Sequence, residues 1–72
     1  MKKQYIYRRI RDTREDRDMT QGQIAEIIGI TQQQYGMYEN GRREIPTHLV
    51  VALSRYYKLS TDYLLGLSEN TK

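Results

Sequence analysis

The sequence predicts an all-α fold, one compact bundle of about five short helices spanning residues 1–72. Three observations carry this. One start-and-stop signal occurs twice in mid-chain: Thr20 with Gln23 and Thr31 with Gln34 fit the capping box, and Gly29 and Gly41 stand where a left-handed residue closes a helix. On either side of that unit, apolar residues recur at helical spacing. Near the end, Ser60 and Gly66 bracket one further short helix, a cap at one side and a stop at the other.

The first helix is expected from Tyr5 to about Arg17, with Ile6 and Ile10 four apart and Thr13 and Arg14 continuing the inward stripe. Its outer faces alternate in charge, Arg8 with Asp12 and Arg11 with Glu15, as a solvated helix does. Asp18 ends it, because aspartate tolerates left-handed geometry better than most residues. Met19 enters the core ahead of the second helix, whose Ile24, Ile27 and Ile28 form one apolar face that needs burying. Gly22 is less expected there, since glycine costs up to about 1 kcal/mol in a helix interior and less in the first turn, and no function follows from it.

The third helix offers Tyr35 and Tyr38 to the core and turns Gln32, Gln33, Gly36, Met37 and Asn40 largely outward. An amide-rich free face is an unusual surface. Arg42 to Ile45 reads as an exposed loop, and Pro46 suits the first position of a fourth helix or the residue before it. Leu49, Val50, Leu53, Tyr56 and Tyr57 then follow at helical spacing to about Lys58. Thr61 to Leu65 makes the last helix, Leu67 to Lys72 a frayed tail, and residues 1–5 a basic N-terminal arm.

Composition narrows the function. Without cysteine, disulfides and thiolate metal sites are excluded, and the lone His48 has no carboxylate cluster at ligand spacing, so neither a metal, a cofactor nor a catalytic residue is expected. The five glycines form no phosphate-cradling loop. No apolar run approaches the roughly 18 residues that span a bilayer, and the N-terminus lacks a signal-peptide core, so a cytoplasmic protein is expected. Net charge is +3, but it is unevenly placed: residues 1–18 carry seven Lys/Arg against four Asp/Glu, residues 19–40 none against two, and residues 41–72 five against three. The central unit is therefore slightly acidic, and any attraction to phosphate comes from its flanks and from helix N-termini.

Two capped helices joined through Gly29, Ile30 and Thr31 fit the helix-turn-helix motif, whose second helix lies in the DNA major groove with its N-terminal residues at base edges. Over roughly Ile6 to Gly66 the chain also resembles the XRE family of phage-repressor and Cro-like regulators. The residues that carry the likeness are Arg14, Thr20-Gln21, Ile24-Ala25, Gly29-Ile30-Thr31-Gln32, Tyr38-Glu39-Asn40-Gly41, Arg43, Ile45-Pro46 and Ser60-Thr61-Asp62-Tyr63-Leu64-Leu65-Gly66. The resemblance implies a lambda-repressor-like domain in which Gln32 and Gln33 touch bases. A glutamine amide matches the donor and acceptor on an adenine edge. Met37 would meet a thymine methyl, and Gly36 either lets the helix lie close to DNA or reflects tolerance at an exposed site.

The same resemblance assigns phosphate contacts to Gln21, Thr31, Gln34, Asn40, Arg42 and Arg43, and an internal ion pair to Arg14 and Glu39. One helix in one groove covers too few base pairs, so a homodimer on a pseudo-palindromic double-stranded operator is expected. Tyr63, Leu65 and Leu67 are the expected dimer surface, with Leu64 closing the core. No residues remain for a sensing domain, so control is expected through expression level, competition or a partner. The alternative is a protein-binding module of the same fold, such as an antitoxin. The amide face favours DNA, since protein interfaces centre on aromatic or aliphatic anchors.

Overall fold

The computed structural model describes residues 7–71. In chain order it contains α1 (Arg8–Asp16), α2 (Gln21–Ile28), α3 (Gln32–Glu39), α4 (Thr47–Tyr57) and α5 (Thr61–Leu64). The expected basic arm, and Ile6, lie outside the described residues. Each start follows from its cap. Thr20 and Thr31 both form complete capping boxes, Pro46 precedes the first turn of α4, and Ser60 Oγ accepts from the Tyr63 N–H at 3.0 Å. The stops are left-handed. Gly29 has φ 81°, Gly41 77° and Gly66 78°, and Asp18, just past the end of α1, has φ 56° as its side chain permits. Lys58 closes α4 in the same region, φ 59°.

The core joins all five helices. Ile10, Ile24, Ala25, Tyr35, Leu49, Val50, Leu53, Tyr57 and Leu64 are buried together, with Ile45 from the loop before α4. Tyr7 and Tyr38 pack against this cluster without being enclosed by it. Three expectations need correction. Ile27 is 47% exposed rather than buried, because the inward stripe of α2 centres on Ile24, Ala25 and Ile28 and leaves position 27 roughly 100° round the helix. Tyr56 is likewise on the outside of α4, edge-on to Tyr57. On α1 the Arg11–Glu15 pair forms at 3.5 Å, whereas Arg8 and Asp12 do not pair.

The tail is the fourth correction. Residues 67–71 fold back instead of fraying: the Leu67 N–H donates to Asp62 O at 2.8 Å and the Ser60 N–H to Thr71 O at 2.7 Å. Arg9 clamps the same segment from α1. Its guanidinium donates to Ser68 O at 2.8 Å, pairs with Glu69 at 2.8 Å and lies 4.4 Å from the Tyr63 ring centroid. A backbone thus tied has partners for groups that a free tail would leave to water.

Candidate nucleic-acid interface

The site is built from the α2–α3 corner. In α3 the N-terminal turn is fixed by its cap: Gln34 N–H donates to Thr31 Oγ1 and Thr31 N–H to Gln34 Oε1, both at 3.1 Å, and the Thr31 hydroxyl also donates to Gln34 Oε1 at 3.3 Å. Thr31 is therefore engaged within the helix start, and Gln34, whose Oε1 it holds, is an exposed residue. At the other end Glu39 anchors the helix to α1. Arg14 Nε donates to Glu39 Oε2 at 2.7 Å and Arg14 Nη2 to Oε1 at 3.1 Å, a two-pronged pair with Glu39 only 2% exposed and Arg14 11%. The family-implied ion pair is present as expected.

Two further hydrogen bonds extend the pair, one to each partner. Gln21 Nε2 donates to Glu39 Oε1 at 3.2 Å, and Arg14 Nη1 continues to Met19 O at 2.7 Å. Burial by itself raises the Glu39 carboxyl, but hydrogen bonding, foremost from Arg14, outweighs it and holds the group below its ordinary range. Tyr35 Oη lies beside the carboxylate short of hydrogen-bond geometry, and burial followed by the Glu39 charge holds this phenol above its ordinary range. One buried charge pair thus fixes α1, the start of α2 and the end of α3 relative to one another.

The outward face follows from this anchoring. Gln32 and Gln33 are exposed, Gly36 and Met37 half-buried, and Asn40, Arg42 and Arg43 exposed beyond the helix end. Gln21, Gln32, Gln33, Met37, Asn40 and Arg42 line one shallow depression together with Gly36. Arg43 and Gln34 lie outside its lining. The turn after α3 is tight, with the Arg42 N–H donating to Met37 O at 2.9 Å, so this arginine is carried on ordered backbone.

Gly36 and Gly22 are the residues whose roles the sequence left open. A Cβ on Gly36 would meet Gln21 Oε1 at 3.4 Å, and one on Gly22 would meet Gln32 Oε1 at 3.1 Å. Each glycine therefore lies under the amide of the facing helix. The Gln21–Glu39 bond and the place of Gly22 were not legible in the sequence; the only signal was a glycine where a helix former is favoured.

The expected dimer residues are divided by the structure. Leu64 is fully buried, as anticipated, and Leu67 is 74% exposed. Tyr63 is half-covered by Arg9, and Leu65 packs against the core, so neither is a free apolar surface. Among the described residues no helix is long and apolar enough to cross a membrane, and no group of three or more His, Cys, Asp or Glu is placed to hold a metal ion.

Two short capped helices at a glycine turn, the second presenting a polar face, define a helix-turn-helix protein, and a helix-turn-helix family profile matches residues 10–64. The chain belongs to this family, in its XRE-type branch. It is similar to two Bacillus subtilis (strain 168) proteins, the uncharacterized HTH-type transcriptional regulator YobD, at 40% identity over 86% of this chain and 55% of that one, and the HTH-type transcriptional regulator ImmR, at 35% over 90% and 51%. It spans about half the length of these relatives. Among solved structures it is similar to the P22 c2 repressor protein in complex with a synthetic operator, with TM-score 0.78, 26% identity, and coverage of 92% of this chain and 100% of that one.

Proposed function

We infer that this chain is a sequence-specific double-stranded DNA-binding domain of a transcriptional regulator, a repressor in kind, which reads the major groove with α3. The observation that carries the reading is the outward pair Gln32 and Gln33 at the start of a helix whose far end is fixed by a buried ion pair. Base readout needs side chains held in register before contact, because ordering them on binding would cost affinity. Gln32 and Gln33 supply amide donor–acceptor pairs for adenine edges, and Met37, one turn on, supplies apolar contact for a thymine methyl.

Phosphate contacts come from the flanks. The second N–H of the Gln21 amide remains available beside the N-terminus of α2, where partial positive charge favours an anion. Asn40, Arg42 and Arg43 follow α3 on the exposed side, and the exposed Gln34 adds an amide donor at its start. These groups orient the domain, and the amides select the sequence. Two domains on half-sites one helical turn apart then give the specificity that one helix lacks, with Leu67, of the three expected dimer residues, the one left exposed to join them. The reading involves no catalysis and no cofactor, and fits a cytoplasmic protein.

Selection from random duplexes with the purified protein at two salt concentrations tests the whole reading. Enrichment of a two-fold symmetric motif is expected. Binding without enrichment contradicts the base-reading role of α3, and no binding at low salt points to a protein partner instead.

A further inference from the structure

We propose that Gly22, which makes no contact with DNA in the reading above, sets the sequence preference of this domain by leaving room for the side chain of Gln32. The inference rests on α3 being the base-reading helix. It starts from the reciprocal arrangement at the α2–α3 corner, where each helix places a glutamine amide over a glycine of the other: Gln32 over Gly22, and Gln21 over Gly36. The two contacts are unequal. Gln21 is held from its other side by Glu39, and its 3.4 Å approach to a Cβ at 36 is ordinary van der Waals distance. Among the described residues the Gln32 side chain has no hydrogen-bond partner, and its Oε1 would come within 3.1 Å of a Cβ at 22, closer than such atoms normally rest.

The atoms nearest that methyl after Gln32 Oε1 are Gln32 Cδ at 3.7 Å and Thr20 Oγ1 at 3.9 Å, so only the end of one flexible side chain stands in the way. A methyl at 22 is accommodated by moving the Gln32 amide a few tenths of an ångström, with the backbone left in place. Glycine is otherwise mildly unfavourable at this point, the second residue of α2 after its Thr20 cap. The residue that destabilises the helix is thus the one that gives the first amide of α3 its resting direction. A bidentate contact depends on that direction, because both bonds to a base edge form only when the amide plane lies near the base plane.

The experiment is a four-way comparison of the wild type, Gly22→Ala, Gln32→Ala and the double variant, each scored by thermal melting and by base preference in duplex selection. Gly22→Ala is expected to melt above the wild type and to lose about tenfold discrimination at the base position read by Gln32, with the other positions unchanged. In the Gln32→Ala background the same change is expected to alter no base preference. Gly22→Ala melting below the wild type means that the methyl moves backbone, and overturns the inference. So does a preference unchanged by Gly22→Ala, or a loss of equal size with Gln32 absent. A wild-type chain that selects no sequence removes the functional reading itself and the inference with it, an outcome separate from a selective wild type indifferent to position 22.

Discussion

α2 and α3 both begin with a Thr-x-x-Gln capping box and both finish at a glycine with positive φ, yet they are held in the molecule by different forces. α2 buries Ile24 and Ala25 fully and Ile28 in part, so its position is fixed by apolar area removed from water. Of its apolar residues α3 buries only Tyr35 fully, with Met37 and Tyr38 half-buried, while the Glu39 side chain is enclosed. What it lacks in apolar burial it gains from Arg14 and Gln21 on the Glu39 carboxylate. A helix that must keep a polar face free for a partner cannot turn apolar residues all round. Anchoring one end by charge and the other by a cap leaves the outer face open.

Breaking the anchor is the largest test of this difference. Arg14→Ala is expected to cost about 3–5 kcal/mol in urea unfolding, because it leaves the Glu39 charge buried without its partner. Arg14→Met combined with Glu39→Leu should recover most of that stability, since a well-packed apolar pair can replace a buried ion pair. The double variant is expected to bind its operator less selectively than the wild type despite its regained stability. Equal selectivity would show that packing alone orients α3.

Acid sharpens the same point. The Glu39 carboxyl has a folded value below its unfolded one, so its stabilising effect is full above the unfolded value near 4.5 and is lost as pH falls through the lower folded value. Stability curves should therefore drop below about pH 4.5 in the wild type, and the drop should shrink in the Arg14→Met, Glu39→Leu double variant. At the alkaline end, burial pushes the Tyr57 phenol up to about 12, and Tyr35 is displaced in the same direction. Raised phenols stabilise fully below the unfolded value near 10, and that contribution disappears as pH climbs through the folded values.

The two caps allow a matched comparison. Thr20→Ala and Thr31→Ala should each lower stability by about 1 kcal/mol, as both remove a side-chain acceptor for an N-terminal N–H. Only the second is expected to reduce discrimination between operator and non-operator duplexes, because the proposed base-reading amides are on α3. The smallest effect belongs to Arg43→Ala. It should weaken all sequences alike and reduce the slope of log affinity against log salt by about one unit, leaving base preference untouched.

Much of this corner was legible in the sequence because its signals are local. Both capping boxes, the glycine stops and the left-handed Asp18 follow from residues within one turn of each other, and the structure has each in place. The Arg14–Glu39 pair was reached through family resemblance, being twenty-five residues apart and invisible to periodicity. What escaped depended on rotation and on long-range docking. Ile27 has the spacing of a core residue but sits at the edge of the stripe, and only the packing of α2 decides which edge is covered. The tail carries no helical or strand pattern, so the Arg9 clamp that holds it could not be anticipated from either segment alone. Gly22 was visible only as an anomaly, and its reason lies ten residues away in Gln32.

Side-chain amide resonances of Gln32 and Gln33, followed by NMR while a selected duplex is added, test the assignment of this face most directly. Both pairs are expected to shift and to become protected from solvent exchange at one equivalent of half-site, with Ile27 and Tyr56 unmoved. If the two amides keep their free positions while Ile27 and Tyr56 shift, the domain meets its partner through the opposite side and α3 does not read bases.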